Sequence, residues 1–432
     1  MSRVRRTFLA TALLATCALS CSGPPPKRAG RVFLIGLDGA TWTVIDPLLA
    51  QGRLPNLAAL IREGTRAPLE SMIPTKSPAL WTTVATGKGF DGHGINDFTE
   101  TIGGDGTKNE RVMHMTSNMR TTKALWNIVG DRGGSVAFVG WWVTWPAEPV
   151  RGTMVTSHVP LEQTGGAASP TKGTIVASDS TGQTWPPELF GKIAPLIRTP
   201  ESVTWDEARR FMDIRSDEMD KDVVLGFRWA YAADETYRAV IRKLLEEEPD
   251  RDLWGLYFNG IDVVCHRYWK YREPERYRAF PPEEIPRFRD VVERYYEYTD
   301  QMLGEILAHR RPGDSFLVLS DHGFHANGHK DGPPGILIAA GENLAKGASL
   351  KSARLVDIAP TVLALLGLPQ AGDMDGRVLD ALFTSRWRKA YPRDTVPTYD
   401  TAEWLASRQK TPVSSGVDAA LMERLRGLGY IQ

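Results

Sequence analysis

Three short apolar runs, each followed closely by an acid, constrain this chain more than anything else in it. Arg31 to Leu37 ends at Asp38-Gly39, Leu253 to Phe258 is followed by Asp262, and Ser315 to Ser320 runs into Asp321-His322-Gly323. Apolar runs this short, bounded by turn residues and lacking polar alternation, mark strands buried on both faces. A fourth strand is expected at Ser135 to Gly140. Helical segments are expected at Pro55 to Glu63 (ended by Gly64), from Pro74 through Thr86, at Asp234 to Glu248 and at Arg287 to Ala308. Strands alternating with helices predict an α/β architecture with a largely parallel central sheet, whose chemistry collects at the carboxyl ends of the strands.

The chain of 432 residues can bury a large core, as one domain or as one carrying an insertion. Acidic and basic residues balance at 52 each, so no basic field calls for a nucleic-acid partner. From residue 31 onward no apolar run is long enough to span a bilayer. Gly103 to Arg111 reads as a loop, and residues 164–185, rich in Gly, Ser and Thr, as a surface loop of an inserted cap covering roughly residues 100–250. In the C-terminal segment, residues 396–432, Ala419 to Tyr430 has the pattern of an amphipathic docking helix.

The first thirty residues differ. Arg3, Arg5 and Arg6 precede an apolar stretch, Phe8 to Leu19, that closes at Ser20-Cys21, so residues 1–20 read as an export signal. Ala18-Leu19-Ser20-Cys21 resembles a bacterial lipobox and makes Cys21 the expected lipidation site; Leu14-Ala15-Thr16-Cys17 is the competing register. Residues 21–30, polar and Pro-rich, cannot form a core and read as a tether. Arg5-Arg6-Thr7-Phe8-Leu9 also resembles the twin-arginine motif, with an ordinary secretory signal as the alternative. The expectation is an exported lipoprotein of the periplasm or cell envelope, held to the membrane by its lipid only. Beyond the signal and the lipid-bearing residue only Cys265 remains, so no intrachain disulfide is available; Cys265 reads as a small buried hydrophobe.

Asp38, directly after a buried strand and before a glycine, can hold a cation at the sheet edge or serve as a turn aspartate. Asp321 and His322 can face one ion from their loop, with Gly323 permitting close backbone approach. Asp262 and His266, four apart, share one face if that segment is helical. His329 and His325 compete as the last histidine. Ser77, before Pro78 at a helix start, sits where backbone N–H groups favour a bound phosphate, or acts as an N-cap. Lys76 can assist phosphate binding or face solvent. Gly140-Trp141-Trp142-Val143-Thr144-Trp145-Pro146 offers Trp142 and its neighbours for stacking on a substrate, or for the core.

These features resemble the alkaline phosphatase superfamily, specifically its type I phosphodiesterase/nucleotide pyrophosphatase branch. The resemblance covers most of residues 31–385 through ordered motifs. They are Gly36-Leu37-Asp38-Gly39, Leu54-Pro55-Asn56-Leu57, Pro74-Thr75-Lys76-Ser77, Thr86-Gly87, His93-Gly94-Ile95, Asp262 with His266, Ser320-Asp321-His322-Gly323 and Asp357-Ile358-Ala359-Pro360-Thr361. It implies a three-layer α/β/α domain over residues 31–395 and two divalent metal ions, zinc by the ligand types with manganese as the alternative. Asp38, Asp321 and His322 would hold one ion and Asp262, His266 and His329 the other. Ser77 would be the nucleophile, forming a covalent phosphoserine. The implied substrate is a small phosphate ester or a lipid head group.

One departure limits the transfer. Nucleotide-cleaving relatives hold a phosphoryl-binding asparagine where this chain has Phe98, and Asn96 is the candidate substitute. Ser77-Pro78-Ala79-Leu80-Trp81 lacks the sulfatase pattern, which disfavours sulfate esters. A phosphomonoesterase or phosphotransferase on the same centre is the alternative enzyme. A non-catalytic ligand-binding lipoprotein is the alternative of another class, and retained metal binding with a Ser77-dependent activity would exclude it.

Overall fold

The apolar runs lie side by side. The computed structural model describes residues 30–102, 111–159, 162–163, 175–176, 181–277, 281–348, 350–409 and 411–414. Among these, nine strands form one sheet: β1 Val32–Leu37, β2 Thr65–Glu70, β3 Val136–Val139, β4 Gly152–Val155, β5 Thr184–Trp185, β6 Leu253–Phe258, β7 Ser315–Leu319, β8 Gly335–Gly341 and β9 Ala353–Arg354. Their order is β9-β2-β8-β7-β1-β6-β3-β4-β5. β1 pairs parallel with both β6 and β7, and β3 and β4 continue the parallel set. β8 is antiparallel to β7 and β2, and β5 to β4.

This register places the site. Leu37 lies opposite Phe258 and Gly36 opposite Leu319, so the residues that follow β1, β6 and β7 emerge at one sheet edge. Because side chains alternate along a strand, Phe33, Ile35 and Leu37 enter one core while Val32 and Leu34 enter another on the opposite face. The first core is closed by α1 (Trp42–Ala50), α2 (Pro55–Glu63) and three helices introduced below. The second is closed by α3 (Ser77–Thr86), α4 (Leu125–Asp131) and a late helix, Ile358–Leu365. Two helical layers around one sheet are the expected three-layer α/β/α arrangement.

The first core also takes α5 (Asp222–Glu247), α6 (Gly260–Arg272) and α7 (Val291–Leu307). α5 starts at Asp222 rather than at Asp234, because Val224, Phe227 and Tyr231 extend its buried stripe. Gly226, which looks like a breaker, lies against Arg267: a Cβ there would be 1.7 Å from its Nε. Gly64 does end α2, but its φ of −135° is not left-handed. It is needed instead because a Cβ would fall 2.1 Å from Ala339 O. α7 is shorter than the expected Arg287 to Ala308, with a separate turn of helix at Ile285–Phe288 before it.

Residues 100–250, expected as an inserted cap, contribute β3, β4 and β5 to the edge of the main sheet and α5 to its face. Thr184–Trp185, expected as loop, pairs with β4 because its backbone groups complete that edge. Arg111, expected to end a loop, opens the strand Arg111–His114, antiparallel to Thr99–Ile102. The export signal, residues 21–29 of the tether with Cys21, and the Ala419–Tyr430 segment lie outside the described residues. Among the described residues no helix is long and apolar enough to cross a membrane.

Candidate active site

β1 delivers Asp38 fully buried to the sheet edge, its backbone N–H bonded to Phe258 O at 3.0 Å. Gly39 turns the chain away with φ +70°, and a Cβ there would sit 2.9 Å from Asp262 Cβ, so only glycine lets this turn approach the first turn of α6. Asp38 Oδ2 accepts from Trp81 Nε1 at 3.0 Å and from the Tyr257 hydroxyl. Its Oδ1 finds no donor among the described residues and lies 3.4 Å from His322 Nε2.

β7 delivers Asp321 and His322, both fully buried. Neither Asp321 oxygen has a donor among the described residues, and Oδ2 lies 3.6 Å from His322 Nε2. His322 Nδ1 is 3.0 Å from Gly323 O. A carbonyl only accepts, so Nδ1 carries the proton and Nε2 presents its lone pair to the carboxylates. Ser320 Oγ donates to His322 O at 2.7 Å and accepts from Ala40 N at 2.9 Å, fastening the loops after β1 and β7 to each other.

α6 carries Asp262 and His266 on one face, as their spacing predicts. His266 Nε2 is 3.5 Å from Asp262 Oδ1 and 3.0 Å from His329 Nε2, and His329 Nε2 is 3.9 Å from the same Asp262 oxygen. The His329 ring stacks on His322 with centroids 4.0 Å apart. His325 turns instead to Asp331, at 2.8 Å, so of the two rivals only His329 joins the cluster.

Ligand atoms of Asp38, Asp321 and His322 lie within 4.8 Å of one another, and so do those of Asp262, His322 and His329. Ligands held about 2.0–2.2 Å from a tetrahedral ion stand roughly 3.3–3.6 Å apart, close to the spacings found. His322 thus touches both groups rather than belonging only to the first. The electrostatics agree. Burial, and then the Asp262 charge, push Asp38 up to about 7. Burial with the Asp38 and Asp262 charges pushes Asp321 well above the usual carboxylate range. Burial lowers His322 to about 3 and also lowers His329, keeping both imidazoles neutral. Three buried carboxylates in mutual repulsion beside neutral imidazoles are what a divalent cation relieves, and the residues fit such a group.

Ser77 opens α3, buried, with its Oγ unpartnered among the described residues. Trp81, one turn along α3 from Ser77, donates to Asp38 Oδ2 and so fastens this helix to the cluster. Thr75 Oγ1 donates to His329 O at 2.9 Å and ties the approach to α3 to the last histidine. Lys76 pairs with Asp97 at 3.2 Å and lies 5.7 Å over the Phe98 ring. Asn96 is exposed, while Phe98 is buried against Trp142. Trp141 and Trp145 belong to the buried core, and Trp142 alone of the three is half-buried. His93 is structural: its Nε2 meets Thr83 Oγ1 at 2.9 Å, pinning the His-Gly-Ile turn to α3. Cys265 is fully buried, its thiol pushed well up by burial.

Sequence reasoning missed Trp81 and Tyr257, which hold Asp38, and Asp234, whose carboxylate faces the Asn259 and Gly260 N–H groups at the start of α6. The available signal was a hydroxyl or carboxyl inside an otherwise apolar pattern, as Tyr257 is in Leu253–Phe258.

Residues 32–336 match the type I phosphodiesterase / nucleotide pyrophosphatase family, and the chain belongs to that family. With its sheet topology, this makes the fold alkaline-phosphatase-like. A segment is 35% identical over 95 residues to the 2,3-bisphosphoglycerate-independent phosphoglycerate mutase of Cereibacter sphaeroides, covering 19% of this chain and 18% of that protein. The enzyme of that name from Ruegeria sp. is 33% identical over 99 residues, covering 21% and 20%. The chain thus spans about a fifth of the length of these curated relatives. Among solved structures, phosphonoacetate hydrolase from Sinorhizobium meliloti with phosphonoformate superposes over 72% of this chain and 60% of its own, at 18% identity and TM-score 0.40. A 2-O GAG sulfatase superposes over 86% and 76%, at 10% identity and TM-score 0.48.

Proposed function

We propose that this chain is a metal-dependent hydrolase of phosphodiester or pyrophosphate bonds, with Ser77 as its nucleophile. The carrying observation is the cluster of three buried, mutually repelling carboxylates with the neutral imidazoles of His322 and His329, fastened through Trp81 to a helix that opens on buried Ser77. Asp38, Asp321 and His322 would hold one divalent ion, and Asp262, His266 and His329 the other. Zinc, or manganese as the alternative, would supply Lewis acidity at the phosphoryl oxygens and lower the pKa of the serine hydroxyl.

The residues themselves do the rest. Ser77 Oγ forms a bond to phosphorus as the bond to the leaving oxygen breaks; the serine proton passes to solvent and the departing oxygen takes one up from it, leaving a phosphoserine and the free alcohol or phosphate. The N–H groups opening α3 face the phosphoryl oxygens. Water then cleaves the P–Oγ bond and Ser77 regains its proton. Lys76, drawn toward Asp97, lines the approach. Buried Phe98 in the place of a phosphoryl-binding asparagine weighs against a nucleotide-specific site, so the substrate class is a small phosphate ester or lipid head group. Export, with the lipid on Cys21, belongs to the same proposal and rests on the first thirty residues.

The test is metal analysis with hydrolysis of aryl phosphate mono- and diesters by wild type and Ser77→Ala. Two equivalents of divalent metal, retained in the variant with a loss of at least about a thousandfold in activity, are expected. A metal-free wild type, or full activity without Ser77, sinks the reading; preference for the monoester moves the phosphomonoesterase alternative ahead.

A further inference from the structure

Asp38 is held by more than its strand. Trp142 Nε1 lies 2.6 Å from the Tyr257 hydroxyl, which in turn contacts Asp38 Oδ2. An indole N–H can only donate, so the Tyr257 oxygen accepts it and the phenolic proton is directed to Asp38. Trp81 Nε1, likewise donor only, adds a second bond to the same Oδ2. Both donors therefore converge on one carboxylate oxygen and leave Oδ1 facing His322 Nε2 at 3.4 Å. The direction of every bond in this chain follows from chemistry and needs no choice of tautomer.

The rings that make these bonds are themselves fixed. Trp81 packs edge-on against both Tyr257 and Trp141, and Trp141 Nε1 donates to Trp81 O at 3.1 Å. Trp142 packs edge-on against Phe98. The residue after it, Val143, has φ +55°, and among the described residues it is the one non-glycine with positive φ. A β-branched residue is rarely found there, so the surrounding packing imposes this turn, and the turn sets the direction of Trp142.

Resting on the metal-centre reading above, we infer that Tyr257, Trp81 and Trp142 are positioning residues: they commit Asp38 Oδ2 to hydrogen bonds so that Oδ1 alone is presented to the ion shared with Asp321 and His322. Trp142 is the outermost member, half-buried beside Phe98, so the relay joins a partly exposed ring to a ligand of one ion and not of the other.

The experiment titrates chelator-stripped protein with Zn2+ against a chromophoric chelator, for wild type, Tyr257→Phe and Trp142→Phe. Wild type should show two binding events. Tyr257→Phe should weaken one by about 10–100-fold and leave the other within threefold. Trp142→Phe, which keeps the phenol, should weaken that same event by a smaller factor. A purely structural role would instead lower the melting temperature of the stripped protein and weaken both events together. Unchanged affinities in both variants, or equal loss at both events, overturn the inference while leaving the metal centre standing. No zinc uptake by wild type overturns both. Should Tyr257→Phe fail to fold, Trp142→Phe alone decides: loss confined to one event supports the relay, and no loss refutes it.

Discussion

Asp234 shows how the fold spends stability to start the helix that bears two candidate ligands. Its carboxylate, fully buried on α5, accepts from Tyr295 Oη at 2.9 Å and faces the Asn259 and Gly260 N–H groups at the start of α6. Burial dominates and lifts it from 3.8 to about 7. The sign follows from linkage. A carboxylate whose folded pKa exceeds its unfolded value disfavours the fold when charged, so stability present at pH 4 is lost progressively up to pH 7 and stays lost above it. The rise corresponds to roughly 4 kcal/mol, which for a chain this size moves Tm by roughly 5 °C. Asp234→Asn keeps an acceptor oxygen and removes the charge. Melting both proteins in excess chelator at pH 4.5, 5.5, 6.5 and 7.5 should show the variant gaining on wild type with rising pH and levelling off near pH 7. The chelated ligand cluster titrates in both proteins, so the difference isolates Asp234. A gap independent of pH, or wild type gaining on the variant, would refute the reasoning.

Other outcomes are as definite. Gly39→Ala forces a side chain into a left-handed residue, costing about 1–2 kcal/mol, and places its Cβ 2.9 Å from Asp262 Cβ. Melting temperature and metal content after dialysis should both fall, and retention of full metal content would show that the turn at residue 39 and α6 can part. Arg31 forms a buried ion pair with Asp314 and also bonds Pro249 O at 2.9 Å, tying the starts of β1 and β7. Arg31→Ala strands a buried carboxylate and should cost about 3–5 kcal/mol in urea unfolding; a loss under 1 kcal/mol contradicts this. Cys21→Ala should move the protein from the membrane to the soluble fraction of the producing cells, and unchanged anchoring removes the lipid expectation.

Much of the fold was legible because local physics dictated it. A buried parallel strand must be apolar throughout, so β1, β6 and β7 announced themselves, and the acids after them marked the edge where the site lies. Pro78 at the start and left-handed Gly87 at the end made α3 readable. The start of α5 was not readable, because Gly226 breaks the pattern locally while serving a contact with α6 distant in sequence. The same holds for Thr184–Trp185, whose pairing with β4 no local spacing announces.

The candidate site divides along the same line. The sequence alone determined which residue types stand after each strand, the four-residue spacing of Asp262 and His266, and the serine at a helix start; these are properties of one segment at a time. The tertiary structure decided which segments meet. It brought Asp38 to His322, set His329 rather than His325 against His266, and turned Asn96 outward while burying Phe98. It also supplied the Trp142–Tyr257–Asp38 chain, whose members lie far apart in sequence. The physical reason is that charge repulsion, burial and hydrogen-bond direction act through space, and only the packed sheet edge brings the groups within their reach.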